Sequence, residues 1–250
     1  MIIVLCIAEY VAATFGRNGV SPSYAEFAVP DSISDDLASR ITVSFLVRTR
    51  KQSGLIFFIG ANESSDASNW TFVTIELSAL GVVSRVKLGN EIQRKVFAGL
   101  VADGIQHFVY VSLNYSVLQI QLDSVSDVYA VNYSAPLVTD LLYVAGMPLK
   151  KTRRRRDVYS GTADQFSGTL QDFRLNGIRL QTFPLTDEDG KPTTAPGVVL
   201  PIQVVDADRG EQSDDMCLQE RCENNGTCYT EFFSQYRSLI SLSAFSTFLN

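Results

Sequence analysis

The chain has 250 residues, 46% of them hydrophobic and 19% charged, a balance that excludes a disordered polymer and leaves room for one large domain or two modest ones. Its formal charge is −6, so its net field repels a phosphate backbone, and no helical or aromatic reading element accompanies its basic residues; nucleic acid is not an expected partner. No stretch of about eighteen apolar residues is present to span a membrane.

In chain order, residues 1–11 read as a degenerate signal or as the start of a fragment: the apolar run Ile2 to Ala8, which includes Cys6, is cut by Glu9 and has no basic residues ahead of it. Beyond them apolar residues recur with period two. ITVSFLVRT (41–49) puts Ile41, Val43, Phe45 and Val47 on one face. LIFFIG (55–60) follows, and FVTIELS (72–78) sets Val73, Ile75 and Leu77 against Thr74 and Glu76, which predicts a half-buried strand. VVSRVKL (82–88), HFVYVSL (107–113), SVLQIQLD (116–123), LLYVAG (141–146) and GTLQDFRLNG (168–177) extend the series. Turn residues separate them: Gly81, Gly89-Asn90, Asp103-Gly104, Asn114-Tyr115-Ser116 and Asn176-Gly177. Asn114-Tyr115 stands where a tight hairpin joins two strands. No segment of about ten residues carries a capped helical stripe. The pattern predicts an all-β chain, an antiparallel β-sandwich or jelly roll that is continuous over about residues 12–210.

Five asparagines, Asn62, Asn69, Asn114, Asn132 and Asn225, stand in N-x-S/T sequons. They are candidate glycosylation sites and point to the secretory pathway, hence to an extracellular or cell-surface location. KKTRRRRD places Lys150, Lys151, Arg153, Arg154, Arg155 and Arg156 in one connection between two expected strands. Read in an extracellular setting, that run is a solvated loop, a contact for an anionic glycan, or a protease site cut after Arg156.

No catalytic residue is assigned. The one histidine, His107, opens a strand beside Asp103 and reads as a rim residue, with no nucleophile elbow to serve a triad. One His and four scattered Cys supply no zinc set. A glycosidase needs only two suitably spaced carboxylates, for which Glu76, Asp103 and Asp123 are the candidates. That enzymatic alternative is set against the leading reading of a non-enzymatic binding protein.

Past the Asp-rich link VVDADRGEQSDD, the stretch CLQERCENNGTCYTEFFSQYRS carries Cys217, Cys222 and Cys228. Its spacing resembles the first half of an epidermal-growth-factor-like module. That family pairs its first cysteine with its third and its second with its fourth, so the resemblance implies a Cys217–Cys228 disulfide. The fourth position holds Ser238, which leaves Cys222 without its partner. The resulting expectation is a linker at 211–216, an incomplete module at 217–238 and a disordered tail at 239–250.

Three linked motifs carry a second resemblance. SFLVRTRKQSGLIFFIG (44–60), VADGIQHFVYVSLNYSVLQIQLDS (101–124), and YVAGMP (143–148) with FSGTLQDFRLNG (166–177) resemble, in family order, the strands of laminin G-like domains. With TFGRNGVSPSYAEF (14–27) and the partial module that follows, the chain looks most like a Crumbs-type cell-polarity ectodomain, with neurexin-, agrin- and Eyes-shut-like proteins as competitors. The resemblance implies a concanavalin-like sandwich that binds an extracellular protein or glycan through its rim loops, or a glycosaminoglycan through Lys150–Arg156. It also implies calcium as the candidate ion, with Asp66 as the residue to test. Where that family has a cysteine bridged to one near the domain's end, this chain has Thr169 and Glu211, so the sandwich is expected to hold without that staple.

Overall fold

Alternation becomes strand wherever one set of side chains can be removed from water. In the computed structural model, which describes residues 11–17, 22–61, 70–148, 165–187, 189–210, 227–230 and 236–239, this yields two facing antiparallel sheets. The chain divides into two compact units, Met1–Glu211 and Gln212–Asn250.

The first sheet runs in the order β10 (Val125–Ala130), β9 (Val117–Leu122), β8 (Gln106–Asn114), β3 (Arg40–Arg48), β12 (Gly168–Leu175), β1 (Ala13–Phe15) and β18 (Ala207–Arg209). β13 (Ile178–Leu180) joins β12 and pairs in parallel with β16 (Val198–Val199). The second sheet runs β17 (Gln203–Val205), β2 (Tyr24–Phe27), β11 (Leu141–Val144), β4 (Gly54–Gly60), β5 (Phe72–Ser78), β6 (Gly81–Lys87) and β7 (Gln93–Ala98). A small ladder joins β14 (Leu185–Thr186) to β15 (Pro192–Thr193). A seven-residue helix, α1 (Asp31–Leu37), links β2 to β3 and buries Ile33 and Leu37, one turn apart. In the second unit the described residues form one hairpin, β19 (Thr227–Thr230) with β20 (Tyr236–Leu239), in which Cys228 lies opposite Ser238 in register.

β3 obeys the expected alternation residue for residue: Ile41, Val43, Phe45 and Val47 are buried and their neighbours partly exposed. Between the sheets the Phe173 ring stacks on Phe45 at 5.0 Å and on Phe57 at 5.9 Å, tying β12 and β3 to β4 across the core. β5 departs from expectation. It is buried from Phe72 to Leu77 rather than on one face, because the outer side of its sheet carries a second apolar layer that includes Tyr24, Leu55, Phe58, Trp70, Phe72 and Tyr143. Glu76 lies on that same outer side. It accepts from the Thr74 hydroxyl at 2.9 Å and pairs with Arg85 at 3.2 Å, with both ionic side chains buried.

β1 closes the first sheet by pairing with β12 on one side and β18 on the other, so the two ends of the sandwich sequence meet. Here Thr169 stands in contact with Thr14, hydroxyl to hydroxyl at 2.9 Å, and the Thr14 hydroxyl donates to the Gly210 carbonyl at 2.9 Å. The polar relay therefore joins Thr169 of β12, one of the two positions at which the resembled family would have its bridge, to Gly210, the residue before the other.

Candidate binding ends of the sandwich

The strands run between two ends. At the α1 end, Arg40 of β3 faces Asn114 of β8, and Ala130 of β10 faces Val117 of β9. At the opposite end, which we call the β3–β4 end, Arg48 faces Gln106 and Val125 faces Leu122. The sequence-predicted residues distribute between these ends.

The α1 end carries two sequons. Asn114-Tyr115-Ser116 forms the β8–β9 hairpin turn, where Tyr115 takes a φ of 49° and donates its N–H to the Ser39 carbonyl at 2.9 Å. Asn132-Tyr133-Ser134 follows β10, and Ser134 donates its hydroxyl to the Leu88 carbonyl at 2.7 Å. Asn114 and Asn132 are both exposed. Residues 62–69, which hold Asn62, Asp66 and Asn69, lie outside the described residues, as does Asn225. Their described flanks are pinned at the α1 end: the Trp70 indole donates to the Ala61 carbonyl at 3.0 Å, and the Ala61 N–H to the Thr71 carbonyl at 3.0 Å.

The calcium candidate Asp66 itself lies outside the described residues, and only the approach to it is described. On that approach the Trp70 carbonyl accepts from the Lys87 ammonium at 2.8 Å, and that cation lies 5.7 Å from the centre of the Trp70 ring. No group of three metal-ligating side chains occurs among the described residues.

At the β3–β4 end, Gly104 takes a φ of 82°, a conformation that favours glycine, and a Cβ there would lie 2.8 Å from the Arg50 guanidinium. Arg48 donates to the Gly104 carbonyl at 2.7 Å, and Lys51 donates to the Gln165 carbonyl at 2.8 Å. His107 is indeed a rim residue, and both its nitrogens are in use: Nδ1 contacts Asp123 at 2.8 Å and Nε2 contacts Asp103 at 3.1 Å. Burial alone would push the imidazole down, but the hydrogen bonds and charges of Asp123 and Asp103 outweigh it and raise its pKa. Burial would raise both carboxyls; for Asp103 the Ile105 N–H and His107, and for Asp123 His107 and the Phe108 N–H, reverse that and hold each below its ordinary value.

Lys150, Lys151 and Arg153 to Arg156 lie outside the described residues, and so do Cys217 and Cys222. The connection that holds the basic run leaves after Pro148 and returns at Gln165, where Lys51 makes its contact. The cations Arg48, Arg50 and Lys51 at the foot of that connection were readable in RTRKQSGL, but nothing in a linear sequence joins them to a run a hundred positions later.

Of the three candidate glycosidase carboxylates, Asp103 and Asp123 meet at His107 and Glu76 stands apart from them. Glu76 is buried against Arg85 in the second sheet, while Asp103 and Asp123 flank His107. A cleft lined by Leu170, Asp172, Phe173, Arg179 and Leu180 holds one carboxylate, Asp172, which is ion-paired to Arg174 at 3.0 Å and Arg179 at 3.4 Å.

This two-sheet architecture meets its sequence counterpart in the family model described as Laminin G domain, which matches residues 47–178. The chain belongs to the laminin G domain family. Laminin G domains are non-catalytic binding modules found in extracellular or cell-surface ectodomains. This laminin G domain is of Crumbs type. It is 31% identical over 227 residues to human Protein crumbs homolog 2, an alignment covering 89% of this chain and 14% of that protein. With mouse Protein crumbs homolog 1 it shares 25% identity over 229 residues, covering 90% of this chain and again 14% of the relative. The chain thus spans about a seventh of the length of these curated relatives. Among solved structures, the mouse laminin alpha1 chain domains LG4-5 superpose with a TM-score of 0.61 at 20% identity, covering 79% of this chain and 46% of that one. The LG1-3 region of the laminin alpha2 chain gives 0.57 at 19% identity, covering 80% and 34%. Both share the fold. No helix among the described residues is long and apolar enough to cross a membrane.

Proposed function

We propose that this laminin G domain is a recognition module of a cell-polarity or adhesion ectodomain, which contacts an extracellular protein or glycan through the rim loops of its β3–β4 end. The observation that carries the reading is the division of labour between the ends. Asn114 and Asn132 stand at the α1 end, whereas the connection holding Lys150 to Arg156 starts and finishes at the other, next to Lys51. Loops on a rigid sandwich are where such a scaffold can vary its ligand without disturbing its core. Cations gathered on one stretch of the rim raise the local concentration of an anionic partner even on a chain of net negative charge.

A narrower form of the reading has a glycosaminoglycan as the partner, held by Lys150, Lys151 and Arg153 to Arg156 together with the turn cations. Retention of the secreted chain on heparin at physiological salt tests it, compared with a variant carrying Arg153→Ser, Arg154→Ser, Arg155→Ser and Arg156→Ser. The expected result is earlier elution of the variant, with a gap that narrows as salt rises. Equal elution sinks the glycan form and leaves a protein partner for the same end. The competing use of the run, cleavage after Arg156, predicts two fragments on reducing gels; a single intact band counts against it. The partial growth-factor-like module, with Cys217 bridged to Cys228 and residues 211–216 as linker, is proposed as the neighbour in a longer array. Peptide mapping of the unreduced chain tests that bridge.

A further inference from the structure

The side-chain amides of Asn176 and of the two described sequons behave differently. The Asn176 oxygen accepts from the Thr42 N–H at 2.6 Å and the Thr42 hydroxyl at 3.1 Å, while its nitrogen donates to the Arg40 carbonyl at 3.1 Å. Its carboxamide is part of the fold. Neither the Asn114 nor the Asn132 carboxamide enters a hydrogen bond within the described protein, although both sit on well-held backbone. Gln93 clamps the Asn132 main chain from both sides, accepting from its N–H at 2.8 Å and donating to its carbonyl at 3.1 Å. The Val131 N–H donates to the Ser116 carbonyl at 2.8 Å, which joins the end of one sequon to the threshold of the other.

Each sequon has tyrosine at its middle position, and the two rings meet edge to face at 5.5 Å. Tyr133 is fixed by its hydroxyl, which donates to the Ala38 carbonyl at 3.1 Å. Tyr115 lies on top of it and remains 57% exposed. The Tyr115 ring thus stands open beside two carboxamides that the fold does not use. The apolar face of a pyranose is a suitable cover for such a ring.

We propose that Asn114 and Asn132 are both N-glycosylated, and that their two glycans rise side by side from the α1 end with their first sugars packed over Tyr115. The inference rests on the extracellular reading above. In the transfer, the carboxamide nitrogen bonds to the anomeric carbon of a lipid-diphosphate-linked oligosaccharide; the lipid diphosphate leaves with the electron pair of the broken bond, and the nitrogen gives up one proton. The paired glycans close the α1 end to protein partners and leave the β3–β4 end as the open one.

The test expresses the full chain in mammalian cells behind a heterologous signal sequence, so that acceptor use is read whatever the native address of the chain. Asn114→Gln and Asn132→Gln should each remove one glycan-sized mobility step, and their combination two. Endoglycosidase H applied to material retained in the endoplasmic reticulum gives the same reading if a variant is not secreted. Nitration of Tyr115 by tetranitromethane should rise several-fold when the purified wild-type chain is enzymatically deglycosylated. An unmodified Asn114 or Asn132 overturns the proposal, and so does equal nitration before and after deglycosylation. Heparin retention is a separate measurement, so failure of the binding reading and failure of the glycan pair can be told apart.

Discussion

Replacing Glu76 by methionine should be among the most damaging single changes in this sandwich. The carboxylate has 1% side-chain exposure and the Arg85 guanidinium 8%, and they are 3.2 Å apart. Removing Glu76 takes the carboxylate at 3.2 Å away from a buried cation, and breaking a buried pair from one side costs about 3–5 kcal/mol. For a domain of this size each kcal/mol lowers the melting temperature by roughly 2–4 °C, so the expected fall is about 6–20 °C. The combination Glu76→Met with Arg85→Met should recover most of that loss, because two desolvated charges are exchanged for apolar volume in a layer that already contains Trp70, Phe72 and Phe58. Thermal unfolding followed by circular dichroism at neutral pH reads all four proteins. A loss below about 1 kcal/mol in the single variant, the range of an exposed pair, would refute the burial argument. A double variant that falls by the sum of its singles would refute the coupling.

The His107 cluster should make stability depend on pH with a defined sign. The raised imidazole contributes fully below its unfolded value and loses that contribution as pH climbs through its folded one, while the lowered Asp103 and Asp123 contribute above their unfolded values and lose that contribution as pH falls through their folded ones. The urea midpoint difference between wild type and His107→Asn should therefore peak between about pH 4 and about pH 6.5 and shrink toward pH 8; a flat difference contradicts it. Phe173→Ala removes the ring that stacks on both sheets and should cost about 3–5 kcal/mol by urea unfolding. Asn176→Ala loses three hydrogen bonds and strains a backbone with φ of 46°. Asn176→Gly, free of that strain, should be milder by about 1–2 kcal/mol, and equal losses would show that the backbone conformation carries none of the effect.

What was legible in the sequence follows from where each strand lies. β3, β8 and β9 each present one face to the core, so their period of two is written in the residues themselves. β10 escapes that reading because it is an edge strand exposed along nearly its whole length, with Val125 and Val128 facing water. β1, β2 and β18 are three or four residues long, too short for any periodicity, and exist because neighbouring strands offer them partners. The double burial of β5 was not legible, since Glu76 reads as a solvent residue until Arg85 of β6 is placed beside it. The candidate site shows the same limit. Each sequon is a local pattern, but the adjacency of Tyr115 and Tyr133 comes from the segment after β10 folding back against the β8–β9 turn. The seating of Lys51 at the foot of the basic connection likewise depends on the pairing of β3 with β12.

The Thr14–Thr169 relay to Gly210 has a consequence for where this sandwich can fold. Residues 12–210 contain no cysteine, and the Thr169 hydroxyl is tied through that of Thr14 to the Gly210 carbonyl. Reducing agents have no bond to cut in this unit, so its unfolding midpoint should be the same with and without dithiothreitol. Its folding therefore waits on no oxidase. With the proposed Cys217–Cys228 bridge, the two parts of the chain would answer to different quality-control steps, the first to packing and the second to thiol exchange.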